Sequence, residues 1–360
     1  MNLPGKRVAD DIGRALLDAA DRLLADLCTH EARGGQLERR WEHSLWVAIE
    51  DSGIPLVMVD PAFGGAGFSG HDALEIMRIA GRHGTAAPVA EALLGNALLS
   101  MAGIPPTGGI VSLAPATPND SITLQRTVAG WRVLGVSSSV PWGRYAESVV
   151  ALARDGVSEY LVRIDRGGWQ VTPGQNLAGQ PRDRLHFDAS IVAGQVAERQ
   201  PGLPSPFLAG ATARTIEAAG AMERLLAVTC DYVQRRVQFG RPLAANQVVQ
   251  HATARLGCEV AAAGVAADIT GTALLHGGAE LAIAAGKVRG ADAVSVAIDI
   301  AHQLHGAMGF ADDGPIAPIT RALWSWRDEF GSASYWAQFL GRAAVNAPAG
   351  GMWPFVADIT

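Results

Sequence analysis

A chain of 360 residues holds two or three domains at about 100–200 residues each, and 49% hydrophobic against 18% charged content fits substantial buried cores. The net charge of −6, with no basic run beyond Arg235-Arg236, argues against a nucleic-acid partner, whose phosphates call for a concentrated basic surface. Cys28, Cys230 and Cys258 are widely spaced, form no C-x-x-C pair and read as buried thiols of a reducing compartment, with no metal site.

Residues 1–7 lack the apolar stretch of a signal peptide, and charges interrupt each Ala-rich run before the roughly 18 residues of a membrane span, so no span and a cytoplasmic location are expected. Residues 10–101 read as helical. Leucines and alanines recur at three- and four-residue spacing over 12–24, a second helix is expected over 37–52, and another over 89–101 ends at Gly103-Ile-Pro-Pro106. Between them the loop Phe63-Gly-Gly-Ala-Gly-Phe68 breaks the pattern, and Ser69 or His71-Asp72 starts the next helix. That loop lacks the strand–turn–helix setting of a dinucleotide-binding fingerprint, which excludes a Rossmann reading.

From 109 the pattern changes to short β-branched runs at 109–114, 121–125, 131–135, 148–152, 160–164 and 169–172, separated by Ala129-Gly130, Asp155-Gly156 and Arg166-Gly167-Gly168. This predicts a small antiparallel β-domain. A Pro-rich linker follows, and from Phe207 four long Ala-rich helices predict an antiparallel bundle: one reaching Val237, then about 247–276, 279–304 and 330–345. The expected multidomain α+β layout is an N-terminal helical domain over 1–106, a β-domain over 107–199, a linker over 200–206, a C-terminal four-helix bundle over 207–346 and a loose tail over 347–360.

The stretch Tyr232-Val-Gln-Arg-Arg-Val-Gln-Phe-Gly-Arg-Pro-Leu243 joins two adjacent arginines to Gln238, Phe239 and a Gly-x-Pro turn, a set suited to an anionic aromatic ligand. With Gln303-Leu-His-Gly-Ala-Met-Gly-Phe310 it resembles the acyl-CoA dehydrogenase family, whose C-terminal domain carries R-x-x-F-G-x-P, a following Q, and Q-x-x-G-G-x-G-[FY]. Those positions are here Arg236, Phe239, Gly240, Pro242, Gln247, Gln303, Gly306, Gly309 and Phe310. Ala307 replaces one glycine. The glycine loop at 63–68 is a weaker echo of the family's N-terminal G-G-x-G.

The resemblance implies an FAD-dependent dehydrogenase that introduces an α,β double bond into an acyl-CoA thioester, passes electrons to an electron-transfer-flavoprotein-type acceptor, and assembles as a homo- or hetero-tetramer. It implies cofactor contacts from Arg236, Gln238, Phe239, Gln247, Gln303, Gly306 and Gly309, with Trp131, Ser139 and Ser332 beside the flavin. The base is the critical test. Many members place it in a Y-E-G-T segment, which here reads Asp328-Glu329-Phe330-Gly331-Ser332, so Phe330 takes the base position and Glu329, the candidate, stands one residue early. Other members place it on the helix preceding R-x-x-F-G, at a position that falls near Gly210; Glu217 and Glu223 further along read as solvated or salt-bridged helix residues. The family's T-E-x-x-A-G-S-D segment has no counterpart in 112–120. These departures, with Glu217 and Glu223 so read, leave two readings: a complete dehydrogenase using Glu329, or a catalytically incomplete subunit that completes the FAD site of a partner chain. A flavin-monooxygenase-like or nucleic-acid-associated relative is the remaining alternative.

Overall fold

The computed structural model describes residues 4–28, 41, 43–128, 130–238, 240–311 and 314–347; Phe239 and nearly all of the expected tail lie outside the described residues. The chain opens with helices α1 (Pro4–Leu27), α2 (His43–Asp51), α3 (Gly70–His83) and α4 (Val89–Met101). Ser69 caps α3 by accepting from the Asp72 amide, which satisfies one of the orphan donors of a helix start. Helix α4 is apolar apart from Glu91, Asn96 and Ser100, and it is buried along almost its whole length between β1, β4 and α5.

The middle segment contributes β1 (Val111–Ala114), β2 (Ser121–Thr127), β3 (Gly130–Pro141), β4 (Ser148–Arg154), β5 (Glu159–Asp165), β6 (Trp169–Thr172), β7 (Arg182–Ile191) and β8 (Val196–Glu198). They form one sheet in the order β6-β7-β3-β2-β4-β5-β8, with β1 added beside β4. The expected antiparallel domain is corrected to a mixed one. β1 runs parallel to β4 from Val111↔Ser148 to Ala114↔Ala151, and β2 meets β4 in parallel at Thr123↔Arg154. A whole hairpin, β2–β3, separates β1 from β4, and this long connection allows both strands to enter the sheet in the same direction. Along β7, buried Leu185, Phe187, Ala189 and Ile191 alternate with exposed residues, as a sheet with one core-facing side requires.

The C-terminal segment holds α5 (Pro206–Arg235), the two-strand hairpin β9 (Val237–Gln238) and β10 (Arg241–Pro242), then α6 (Gln247–Leu275), α7 (Glu280–His305), α8 (Ala307–Phe310), α9 (Ala317–Asp328) and α10 (Ala333–Val345). The four expected helices correspond to α5, α6, α7 and α10. Helix α9 is additional and packs on α5. Pro318 disguises it in the sequence, but proline is tolerated in a first turn, where its missing N–H has no intrahelical partner anyway. Contrary to the expectation for the sequence, α6 is long and apolar enough to cross a membrane by length and composition. Half of its most apolar window is buried in the fold, where α6 packs against α5 and α7.

Candidate active site and nucleotide corner

Two of the sequence motifs meet at one corner. Helix α5 ends at Arg236, whose amide still donates to Tyr232 O at 2.8 Å, and the chain turns back through β9–β10 with Gln238 opposite Arg241. Asn246 caps α6, so Gln247 stands exposed on its first turn. From the far side, α7 brings up exposed Gln303 and ends at Gly306, whose φ of 60° and ψ of −140° suit glycine alone. A side chain added at Gly306 would enter open space, whereas Gly309 sits buried against His302, His305 and Ile316.

The chemistry of this corner fits a nucleotide. Arg236 and Arg241 are exposed and make no ion pair among the described residues, while Arg235 is paired with Asp231 at 2.8 Å. Val237 and Val248, which flank the hairpin in sequence, and Met308 and Phe310, which follow α7, are exposed apolar residues, with Phe310 stacked on His302 at 4.4 Å. Unpaired guanidinium groups beside aromatic and apolar surface match a pyrophosphate joined to ring systems.

The residues expected beside the flavin ring do not converge. Trp131 starts β3, packs on Tyr160 at 5.5 Å and lies under Arg126. Ser139 is exposed near the other end of the same strand, at the bulge between Ser137 and Val140, with φ of 59°. Eight residues of strand separate them by roughly 26 Å at about 3.3 Å per residue, too far for both to touch one ring system. At the bulge end, Asp120 accepts from Ser137 Oγ at 2.8 Å, Ser138 N at 3.0 Å and Thr117 N at 3.0 Å, while Ala116 N donates to Ser137 Oγ. The polar groups that face one another between the β1–β2 loop and β3 are thus bonded to each other.

The candidate base occupies a different setting from the one a base needs. Glu329, with its side chain 12% exposed, accepts from Arg214 Nε at 2.6 Å and Asn176 Nδ2 at 3.0 Å, and Arg182 Nε lies 2.8 Å away, close but poorly aligned for a hydrogen bond. Burial alone would raise its pKa, but Arg182 and Arg214 outweigh that and hold it at about 2. A carboxylate with both oxygens committed and so low an affinity for protons is a poor general base. Arg214 also pairs with Glu91 and Glu217, so one buried network joins α4, the lead into β7, α5 and the turn after α9. Beside it, Lys287 donates to Trp326 O at 2.9 Å, and burial pushes its pKa down to about 7. Burial likewise pushes the Glu217 carboxyl up against the opposing pull of Arg214.

Phe330, at the expected base position, is 2% exposed and adopts φ of 54°, a left-handed conformation that is costly for a bulky side chain. Its ring lies against Gly210, where even a methyl group would overlap it, and it packs on Phe207 with the Arg214 guanidinium 5.7 Å from its centre. Trp336 Nε1 donates to Phe330 O at 3.1 Å and fixes the turn, and Ser332 caps α10 by accepting from the Tyr335 amide rather than pointing to a free site. The two sequence positions expected to carry a base therefore meet in space, and they hold a glycine and a phenylalanine. The ion network around them escaped sequence reasoning, because its members come from segments up to 238 residues apart and each looks like an ordinary helix or strand charge.

Residues 205–332 match the family model described as acyl-CoA dehydrogenase, C-terminal domain. Among curated proteins, the acyl-CoA dehydrogenase IpdE2 of Mycobacterium tuberculosis is 28% identical over 75% of this chain and 77% of its own length. The acyl-CoA dehydrogenase FadE27 of the same organism is 24% identical over 97% of this chain and 100% of its own. A chain of the solved ChsE4–ChsE5 complex from Mycobacterium tuberculosis shares the fold with a TM-score of 0.82 at 21% identity, covering 93% of this chain and 98% of that one. The motif pair at the corner, the three-part fold and these matches agree: residues 205–332 match an acyl-CoA dehydrogenase C-terminal domain, and the chain as a whole is similar to the acyl-CoA dehydrogenase family and shares its fold.

Proposed function

We propose that this chain is a catalytically incomplete subunit of a heteromeric, FAD-dependent acyl-CoA dehydrogenase, and that its C-terminal corner completes the FAD site of a partner chain. The observation that carries this reading is the Phe330 ring seated on Gly210, with the nearest carboxylate, Glu329, locked between Arg182 and Arg214. A carboxylate is needed to remove the α-proton of an acyl-CoA thioester, and here neither expected position offers one. The likeness to a chain of a two-protein complex supports the same reading.

Arg236 and Arg241 would hold the pyrophosphate, and Gln238, Gln247 and Gln303 would bond along the nucleotide. Gly306 and Gly309 would leave room for its close approach. When bound, FAD accepts the substrate's β-hydrogen as hydride; this chain's share is to bind the nucleotide and shield it from water, while the partner supplies the base. The assembly would be a cytoplasmic tetramer, a dimer of dimers that takes acyl-CoA and reduces an electron-transfer-flavoprotein-type acceptor.

The test is to purify the chain alone and together with the acyl-CoA dehydrogenase-like chain encoded beside it, and to measure bound flavin. This reading expects a colourless lone chain, a yellow complex with one FAD per pair of unlike chains, and loss of flavin with Arg236→Ala. A lone chain that purifies with stoichiometric FAD would overturn it in favour of a self-sufficient enzyme.

A further inference from the structure

The two halves of the nucleotide corner lie some seventy residues apart in sequence, and Tyr232 and His305 join them. Tyr232 stacks on His305 with ring centres 4.2 Å apart and planes 18° apart, and its hydroxyl donates to His305 O at 3.3 Å. On one side, Tyr232 O accepts from the Arg236 amide one helical turn later, so the tyrosine sits at the root of the arginine arm. On the other, His305 immediately precedes Gly306, and its Nε2 lies 3.3 Å from Thr229 Oγ1 on α5. His305 is 3% exposed, and its Nδ1 has no partner among the described residues.

We infer that Tyr232 and His305 are positioning residues, a clamp that fixes the Arg236 arm against the Gln303–Gly306 turn so that both grip one FAD nucleotide. The inference rests on the proposed role of the corner in binding FAD. A stacked, hydrogen-bonded pair suits this task because it fixes angle as well as distance, whereas aliphatic packing at the same place would fix neither. Burial, and secondarily His302, push the His305 pKa down to about 4, so the ring is neutral near pH 7 and stacks without a charge to hydrate.

The clamp is tested in the flavin-loaded complex by measuring the dissociation constant of FAD through flavin fluorescence, alongside assembly by sedimentation. Tyr232→Leu and His305→Leu are expected to weaken FAD binding about tenfold with assembly intact, whereas Tyr232→Phe and His305→Phe, which keep a stacked pair, stay within about threefold. Because the clamp acts through Arg236, Tyr232→Leu should add almost nothing to the loss already caused by Arg236→Ala, a coupling that general loosening of the fold would not produce. Should Tyr232→Leu fail to assemble, His305→Leu carries the same cycle with Arg236→Ala. Unchanged FAD affinity in both leucine variants, or fully additive losses with Arg236→Ala, would overturn the clamp. A wild-type complex that binds no FAD would instead overturn the proposed function itself, and the clamp with it.

Discussion

Glu329→Ala separates a structural carboxylate from a catalytic one. The substitution removes the only carboxylate paired with Arg182 among the described residues, while Arg214 keeps Glu91 and Glu217. The Arg182 side chain is 5% exposed, and its remaining bonds are to neutral oxygens, Pro181 O at 2.7 Å and Gln180 Oε1 at 3.2 Å. Breaking a buried pair in this way costs roughly 3–5 kcal/mol. The lowering of the Glu329 carboxyl from 4.5 to about 2 by the same two arginines corresponds to about 3 kcal/mol in favour of its charged form at neutral pH. Because the folded value lies below the unfolded one, that stabilisation is complete above pH 4.5 and is lost as pH falls toward 2. Urea unfolding followed by tryptophan fluorescence should therefore show Glu329→Ala about 3 kcal/mol less stable than the parent from pH 7 to pH 5, with the gap closing in acid. A gap below about 1 kcal/mol at pH 7, or one that stays constant down to pH 2, would refute the reasoning. So would a Glu329→Gln protein of unchanged stability that had lost flavin reduction by acyl-CoA, since that result restores the base.

The same unfolding assay should show Phe330→Ala losing about 3 kcal/mol for the emptied ring site, and Gly210→Ala losing about 1–3 kcal/mol as its methyl group displaces that ring. Lys287 is one of only two lysines in the chain, and its folded pKa of about 7 lies below the ordinary 10.5. Between these values the unfolded chain binds more protons, so stability gains a rising contribution from pH 7 to about pH 10, and Lys287→Met should flatten that part of the stability–pH curve. Asp120→Ala removes the acceptor of the Thr117 and Ser138 amides, and faster hydrogen exchange at those two amides, with little change elsewhere, is the expected result.

Much of the fold was legible because its signals are local. Ser69 announces α3, α4 follows the expected apolar stretch residue for residue, and the paired Gly and Asp-Gly turns divide the strands. Direction in the sheet was not legible, since the parallel pairing of β1 with β4 depends on how a hairpin between them folds. At the site, the motif residues Arg236, Gln303 and Gly306 pointed to one corner, but nothing local to Tyr232 or His305 says that they touch. Glu329 was misleading for a related reason. Its neighbours in sequence suggest a displaced base, while its partners in space, Arg182, Arg214 and Asn176, lie 115 to 153 residues away and determine its charge state.

Trp131 and Ser139 failed as a pair because a strand carries its residues apart at a fixed rise, and a type-by-type match to a flavin environment ignores that distance. Phe330 gave the clearest signal of all. A large aromatic residue before glycine, in a place where a carboxylate was expected, corresponds in space to a ring that fills the position and rests on Gly210.

The most direct measurement of the central claim is an anaerobic titration of the lone chain, supplied with saturating FAD, with acyl-CoA while the flavin absorbance near 450 nm is followed. A subunit without a base is expected to leave the flavin oxidised at every substrate concentration, and bleaching should begin only when the partner chain is added. Bleaching by the lone chain would contradict the claim and mark it as a complete dehydrogenase.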